Sequence, residues 1–475
     1  MKVKHFLFAL IIFAFALGSC RQNNYKNAWP GITPDSVHPS PWQIAYQKKE
    51  KIAFVHFGMN TFTNKEWGTG KADPSLFNPT DINADQWAKT LSENGFKTLI
   101  LTAKHHDGFC LWPSRYTDYD IANSPFKNGN GDIVKEVSEA CRKYHIDFGI
   151  YLSPWDRHEK SYGTPAYNDF YVKQLRELLT QYGRISEVWF DGAKGKNAKD
   201  MHYDFKHWFA TVRKFQPDAL IFSDKGPDIR WIGNENGFAG KTNWSTIDRS
   251  KITIGKAGQG NYLNHGEKGA PDWVVGECDV SIRPGWFYHP KENDQLKPVS
   301  ELTNIYLKSV GRNGTLLLNI PPDRRGQLHP TDVKRLNAFT DSLHALFDDN
   351  LADHVQIEAS SAGKLYPAKH AVDQNWSHFW IAGKKDNQPT LTLHFDQPVT
   401  FNLLMLQEYI PIGQRISKFS VAVKKHTKWQ TIARETTVGY KRILSFDKVT
   451  TDSVRLTFEG FTGRPAISNI GIYHS

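Results

Sequence analysis

The apolar positions of this chain form short runs that alternate with amphipathic stretches from residue 52 onward. Five runs rich in apolar, β-branched or aromatic residues predict strands at 52–57, 98–102, 147–151, 187–190 and 219–222. Apolar residues recur at helical spacing between these runs, which predicts helices at 83–93, 133–144, 171–182 and 203–215. Strands that alternate with helices indicate βαβ units and a parallel sheet.

The rhythm continues less clearly to about residue 348. Two further strands are predicted at 273–276 and 315–320, and two further helices at 302–310 and 330–346. So many successive units favour a closed barrel over a small doubly wound sheet. The predicted fold class is therefore α/β, with a (β/α)8-like TIM barrel over residues 41–348.

The pattern changes after residue 348. Short alternating runs at 391–395, 403–407, 419–423 and 453–458 are separated by turn residues, and no amphipathic helix is obvious. This pattern predicts a C-terminal all-β sandwich over residues 349–475.

An apolar run near the N-terminus determines the expected compartment. Lys2 and Lys4 precede an apolar run over residues 6–17, which has the length of a secretory signal and is too short to span a bilayer. The run ends in Leu17-Gly18-Ser19-Cys20, which looks like a bacterial lipobox. We interpret residues 1–20 as a lipoprotein signal peptide with lipid on Cys20, and the polar residues 21–40 as a tether. An ordinary signal peptide ending at a cysteine is the alternative.

This interpretation predicts a protein of the cell envelope that is held to a membrane by its N-terminal lipid. Both a periplasmic position and one at the outer-membrane surface fit the sequence. The net charge of +10 is spread along the chain rather than gathered in a run, which argues against nucleic acid as a partner.

The remaining cysteines, Cys110, Cys141 and Cys278, are odd in number and lack the spacing of a zinc site. We expect them to be small buried hydrophobic residues, and we predict no metal site. The 15 Trp and 18 Tyr residues suit stacking on sugar rings, although large cores would also account for them.

Polar and aromatic residues gather where the predicted barrel strands end. The active site of such a barrel lies at the carboxyl ends of its strands. Each motif alone could be a turn or a structural contact, but their coincidence on one rim indicates a site. The motifs are His56-Phe57-Gly58, Glu66-Trp67-Gly68, Lys104-His105-His106-Asp107-Gly108, Tyr151-Leu152-Ser153-Pro154-Trp155-Asp156, Trp189-Phe190-Asp191-Gly192 and Gly276-Glu277.

This set of side chains suits glycoside hydrolysis, which needs a nucleophilic carboxylate and a carboxylic acid with a raised pKa. Asp191 is the expected nucleophile because it leaves a rigid interior strand. Glu235 and Glu277 are the candidates for the acid. No metal or other cofactor is needed for this reaction. The side chains expected to hold sugar hydroxyls or stack on the ring are His56, His105, His106, Tyr151 and Trp189.

Four of these motifs resemble the α-L-fucosidases of glycoside hydrolase family 29, and the match covers roughly residues 40–345. In order, they are His56-Phe57-Gly58, Glu66-Trp67-Gly68, Lys104-His105-His106-Asp107-Gly108-Phe109 and Trp189-Phe190-Asp191-Gly192. The resemblance implies a retaining exo-enzyme that releases terminal L-fucose from a fucosylated glycan, with Asp191 as nucleophile. It also implies that Glu66 and Trp67 line the site.

Two later segments resemble the branch of that family that is selective for α-1,3/1,4-linked fucose. They are Gly226-Pro227-Asp228-Ile229-Arg230-Trp231-Ile232-Gly233-Asn234-Glu235 and Glu277-Cys278-Asp279-Val280-Ser281-Ile282-Arg283-Pro284-Gly285-Trp286-Phe287. This resemblance implies Glu235 as the acid/base, ahead of Glu277. It also implies that Glu277, Arg283 and Trp286 line the site.

The C-terminal module resembles discoidin-like β-sandwiches, which implies either glycan binding or a structural buttress on the barrel. Two other functions remain open at this point. One is a barrel glycosidase acting on another deoxy or amino sugar. The other is a lipid-anchored glycan-binding protein without catalysis.

Overall fold

The computed structural model describes residues 28–353 and 355–475. The predicted signal peptide, the lipidation site Cys20 and residues 21–27 of the predicted tether lie outside these ranges. The chain divides after Pro34 into two units. In the first unit, a turn is closed by the Ile32 amide, which donates to the Trp29 carbonyl over 3.0 Å. The second unit, residues 35–475, contains the barrel and the sandwich.

Eight parallel strands close into a barrel in the order β1-β10-β9-β6-β5-β4-β3-β2. The prediction of an α/β barrel is therefore confirmed. Strands β7 and β8, from a connecting segment, form a separate two-stranded antiparallel sheet. The strands are β1 (Lys51–Val55), β2 (Thr98–Lys104), β3 (Asp147–Leu152), β4 (Glu187–Trp189), β5 (Leu220–Ser223), β6 (Ile229–Trp231), β7 (Thr246–Ile247), β8 (Asp272–Trp273), β9 (Val275–Ser281) and β10 (Gly314–Asn319).

Strand β6 was not predicted from the sequence. It has only three residues, and its centre is the charged Arg230, which hides the apolar signal of a buried strand. The Arg230 guanidinium is fully buried and donates to the carbonyls of Leu263 and Trp244, each over 2.9 Å, and to Asn243 Oδ1 over 2.8 Å. Burial lowers the pKa of Arg230 to about 10. These contacts satisfy a cation that would otherwise be costly to bury.

Helices connect the barrel strands, and several begin at a side-chain cap that their sequence supplies. Asp132 accepts from the Lys135 amide over 2.9 Å at the start of the helix Ile133–Lys143. Asn83 accepts from the Gln86 amide over 2.9 Å at the start of the helix Ala84–Glu93. Within the described residues, we find no helix with the length and apolar composition to cross a membrane. The helices are α1 (Pro41–Gln47), α2 (Met59–Thr63), α3 (Ala84–Glu93), α4 (Ile133–Lys143), α5 (Ala166–Gln181), α6 (Phe205–Phe215), α7 (Gly260–His265), α8 (Val299–Ser309) and α9 (Pro330–Phe347).

The main core lies between the barrel strands and the helices and contains the fully buried rings of Trp87, Trp112 and Trp208. The three cysteines expected to be buried, Cys110, Cys141 and Cys278, are buried and unpaired in the described structure.

The C-terminal domain is all β, as predicted, with antiparallel strands around its own apolar core. Strands β13 and β16 are long, and their pairing is interrupted by register shifts, which are typical of places where a strand bends. The strands are β11 (Gln356–Ala359), β12 (Trp380–Ile381), β13 (Thr390–Glu408), β14 (Ile416–Lys425), β15 (Lys428–Glu435), β16 (Arg442–Phe461) and β17 (Ala466–Tyr473).

Buried polar contacts join the sandwich to the base of the barrel. Asn313 Oδ1 accepts from the Tyr440 amide over 2.8 Å, and Asn313 Nδ2 donates to the Asn243 carbonyl over 3.1 Å. Asp35 pairs with Arg415 of the sandwich at 2.9 Å. Residues 35–40 therefore belong to the folded unit, which corrects the prediction of a tether over residues 21–40.

Candidate active site

A cavity of about 360 Å³ opens at the carboxyl ends of the barrel strands. Its walls include all but two of the residues that the sequence predicted for the site. Those that line it are His56, Glu66, Trp67, His105, His106, Tyr151, Trp189, Asp191, Glu235 and Trp286. Glu277 and Arg283 do not line it.

Asp191 lies two residues beyond the end of β4 and faces the cavity. Its two carboxylate oxygens are held by different donors. The Tyr151 hydroxyl donates to Oδ2 over 2.9 Å, and the Ala193 amide donates to Oδ1 over 2.7 Å. His106 Nε2 stands 3.7 Å from Oδ2. These contacts fix the carboxylate in one orientation at the cavity.

Glu235 lies on the loop after β6 and contributes a second carboxyl group to the cavity. Partial burial raises the pKa of Glu235, and the negative charge of Asp191 raises this pKa further. A hydrogen bond with Trp286 acts in the opposite direction. The raised pKa favours the protonated form, which is the form that a general acid needs.

Burial lowers the pKa values of two histidines at the cavity, His56 and His106, and their hydrogen bonds assign the tautomer of each neutral ring. His56 Nδ1 donates to Asn319 Oδ1 over 2.7 Å, and burial lowers the pKa of His56 to about 3. His106 Nδ1 lies 2.7 Å from Ser153 Oγ, whose own proton goes to the Trp155 carbonyl over 2.6 Å. His106 Nδ1 is therefore the donor, which leaves Nε2 as an acceptor on the side of Asp191.

Stacked rings form the apolar part of the wall. Trp189 stacks on Phe222 with ring centroids 3.8 Å apart, and His105 stacks on Tyr151 at 5.6 Å. Burial holds the pKa of His105 well below its usual value, so this ring is also neutral. Trp67 is 48% exposed and stands at the cavity rim. These faces suit the apolar side of a sugar ring.

Glu66 connects the rim to the loop that carries Trp286. Its carboxylate accepts from the Trp286 amide over 2.9 Å and the Phe287 amide over 3.3 Å, and lies 2.5 Å from His289 Nε2. Much of the Glu66 carboxylate is therefore occupied in fixing the position of this loop.

The expectation that Glu277 lines the site or serves as its acid is corrected by the structure. Strand β9 continues to Ser281, so Glu277 lies near its start, inside the barrel below the cavity, and is fully buried. Its carboxylate accepts from the Trp189 indole N–H over 2.8 Å and from the Tyr46 hydroxyl. Glu277 thus supports a wall residue and has no access to a bound sugar.

Arg283 is also buried away from the cavity, contrary to the expectation that it lines the site. Its guanidinium donates to both carboxylate oxygens of Asp332 on α9, over 2.8 and 2.7 Å, and to Asn293 over 3.1 Å. A planar guanidinium matches a carboxylate in this two-bond geometry. The pair anchors α9 to the loop after β9.

Two carboxyl groups at the cavity were missed by the sequence analysis. Asp224 follows β5, and its Oδ2 accepts from the Gly255 amide over 2.7 Å. Burial raises the pKa of Asp224 to about 6. Asp279, in β9, accepts from the Trp231 indole over 2.9 Å, and burial raises its pKa well above the usual range. Both carboxyl groups could have been predicted from the sequence if the strands had been predicted to end at residues 223 and 281, where β5 and β9 end.

The approach of Asp224 to Asp191 depends on two glycines. A Cβ on Gly192 would lie 2.8 Å from the Gly255 nitrogen, and one on Gly255 would lie 2.4 Å from the Gly192 oxygen. Gly255 also has a φ of +76°, which disfavours other residues. The two backbones can therefore meet beside Asp191.

Within the described residues, the one cluster of metal-ligating side chains lies in the sandwich, outside this cavity.

Comparisons with known proteins agree with this geometry. The family model "Alpha-L-fucosidase" matches residues 31–345, and "F5/8 type C domain" matches residues 356–471. The chain is 44% identical to Alpha-L-fucosidase 1 of Arabidopsis thaliana, over 98% of this chain and 93% of that protein.

Solved structures are similar over nearly the whole chain. The crystal structure of SpGH29 has a TM-score of 0.90 and 40% identity, covering 94% of this chain and 100% of that one. A Ruminococcus gnavus GH29 fucosidase in complex with fucose has a TM-score of 0.87 and 38% identity, covering 93% and 96%.

The buried pair of Glu187 and Glu277 gives a prediction about pH. Both are fully buried, and burial next to Glu277 raises the pKa of Glu187 well above its usual value. Above the pKa of an unfolded glutamate, about 4.3, the folded state therefore holds more protons than the unfolded state, and stability falls as pH rises. The free energy of unfolding falls by about 1.4 kcal/mol per pH unit for each extra proton that the folded state holds. Glu187→Gln mimics the protonated group and should flatten this dependence.

Urea unfolding between about pH 5 and pH 8 measures the effect. The exposed Glu93→Gln is the matched control and should keep the wild-type slope. Equal slopes in Glu187→Gln and wild type would show that Glu187 is ionised in the fold.

Proposed function

Because this chain belongs to the α-L-fucosidase family of glycoside hydrolases, we propose that it releases terminal L-fucose by a retaining, double-displacement mechanism. The observation that carries the proposal is the fixed Asp191 carboxylate in a sugar-sized cavity, which also contains Glu235 with its raised pKa. These are the two groups that retention requires.

In the first step, Asp191 attacks the anomeric carbon of fucose and forms a covalent ester. The bond to the leaving-group oxygen breaks, and Glu235 gives its proton to that oxygen. In the second step, the Glu235 carboxylate takes a proton from water, and the water oxygen attacks the anomeric carbon. The ester bond breaks, Asp191 leaves as a carboxylate, and Glu235 regains its proton.

The roles follow from the different surroundings of the carboxyl groups. Asp191 accepts two hydrogen bonds that stabilise a carboxylate. Asp279 is engaged by Trp231 near the base of the cavity. Asp224 is engaged by Gly255. Glu235 is on a loop at the solvent side, where a leaving group would depart, which suits an acid/base.

We extend the proposal to linkage. The segments at 226–235 and 277–287 resemble the branch that cleaves α-1,3/1,4-linked fucose from branched glycans. Glu235 of the first segment lines the cavity, as do Asp279 and Trp286 of the second segment. A branched substrate would place a second sugar near the Glu235 loop.

We further propose that the protein is a lipoprotein of the cell envelope, with lipid on Cys20. The support is the charged, apolar and small-residue order of residues 1–20.

Variants of the two carboxyl groups test the mechanism. Asp191→Ala should lower fucose release by roughly a thousandfold or more, because the nucleophile is lost. Glu235→Ala should lower turnover of natural linkages by about 10²- to 10⁴-fold, the usual contribution of a general acid. With an activated aryl fucoside, whose leaving group needs no proton, added azide should raise turnover by Glu235→Ala and give the α-fucosyl azide, since azide replaces water in the second step. With Asp191→Ala, azide should give the β-anomer.

Asp224→Ala is the matched control, because its carboxyl group lies in the same cavity. If azide restores Asp224→Ala and not Glu235→Ala, the acid/base assignment is wrong.

The linkage proposal predicts a strong preference between two substrates. Incubation with a branched Lewis trisaccharide should release fucose, whereas a simple aryl α-L-fucoside should turn over poorly. Chromatography of the products measures both rates. Faster cleavage of the aryl fucoside would contradict the linkage proposal and leave the reaction itself in place.

The anchor proposal predicts that Cys20→Ser releases the protein from membranes. Wild type should sediment with the membrane fraction and carry lipid, detected as added mass on the N-terminal peptide. Equal sedimentation of both proteins, with no lipid mass, would contradict the assignment.

A further inference from the structure

A cluster of two histidines and one aspartate lies in the sandwich, away from the cavity. One nitrogen from each of His370 and His378 and one carboxylate oxygen of Asp373 come within 4.8 Å of one another. The two imidazole rings stack with centroids 4.8 Å apart. The three residues follow one another across a single segment, from the short helical turn Ala368–Ala371 to the start of β12.

The hydrogen bonds of the cluster leave one imidazole incompletely satisfied. His378 Nδ1 lies 2.7 Å from Asp373 Oδ2, and Asp373 Oδ1 accepts from the Asn375 amide over 2.9 Å. His370 Nδ1 is buried and has no hydrogen-bond partner within the described ranges. A buried polar atom without a partner is costly, and bound metal is one way in which such a ring gains one.

We propose that His370, Asp373 and His378 form a binding site for a divalent metal ion of the zinc class. Two neutral imidazoles and one carboxylate are a donor set that zinc accepts, with water in its fourth position. Calcium requires six to eight oxygen ligands, so these residues do not suit it.

The position of the cluster gives the metal a structural role. Trp376 lies between Asp373 and His378 in sequence, and its ring lies 3.9 Å from Lys48 Nζ, directly after α1 of the barrel. Trp376 also contacts Tyr440, with ring centroids 6.4 Å apart. A metal at this site would fix the segment that carries Trp376 and would stabilise the junction between the sandwich and the barrel.

Metal uptake by the full chain tests the proposal. Protein stripped with a chelator is titrated with ZnCl₂ in a calorimeter, and bound zinc is counted by elemental mass spectrometry. Wild type should bind one zinc per chain and melt at a higher temperature with zinc, whereas CaCl₂ should change neither. His370→Ala and His378→Ala should weaken zinc binding by at least about tenfold.

His394→Ala is the matched control, because His394 is another sandwich histidine beside a carboxylate, 3.6 Å from Glu358. It should bind zinc as wild type does. Asp373→Asn, which preserves the side-chain shape, serves if a histidine variant does not fold. The proposal is overturned if wild type takes up no zinc, or if the ligand variants bind as tightly as His394→Ala. Fucose release is not used as a readout, so failure here leaves the proposed function unaffected.

Discussion

The carboxylate of Asp191 depends for its position on where one short strand ends. Strand β4 stops at Trp189, and the chain then turns so that Tyr151 from β3 and the Ala193 amide hold the two oxygens of Asp191. Because β3 and β4 pair in parallel within a closed barrel, their carboxyl ends are at the same rim. The Asp191 carboxylate and the Tyr151 hydroxyl that donates to it are therefore brought together at one rim of the barrel.

Support for this rim extends downward through the barrel. Trp189 is fixed by Glu277, which Tyr46 of α1 also contacts, and Glu187 lies buried beside them. Below this level, the Glu50 carboxylate accepts a hydrogen bond from the Tyr306 hydroxyl over 2.6 Å. It accepts another from the hydroxyl of Tyr440, in the sandwich, over 3.0 Å. The sandwich thus completes the base of the barrel, which agrees with a structural buttress.

Sequence periodicity predicted most of the barrel because strands such as β2 are apolar throughout and helices such as α4 carry their own caps. It failed where a strand has a charged centre, as β6 does with Arg230. The error at Glu277 has a related cause. The strand was expected to end at residue 276, but it extends to Ser281. Side chains alternate along a strand, so Glu277 and Asp279 face the same side. Asp279, being nearer the carboxyl end, reaches the cavity instead.

Covalent trapping would identify the residue that forms the ester with fucose. A 2-deoxy-2-fluoro-L-fucosyl fluoride should form a stable ester with the nucleophile, because fluorine slows the second step. Trypsin should release residues 185–194, and fragmentation should assign the added fucosyl mass to Asp191 rather than to Glu187 in the same peptide. Mass on Glu235, Asp224 or Asp279 would contradict the account, as would an enzyme that turns over its natural substrate with inversion and never carries the label.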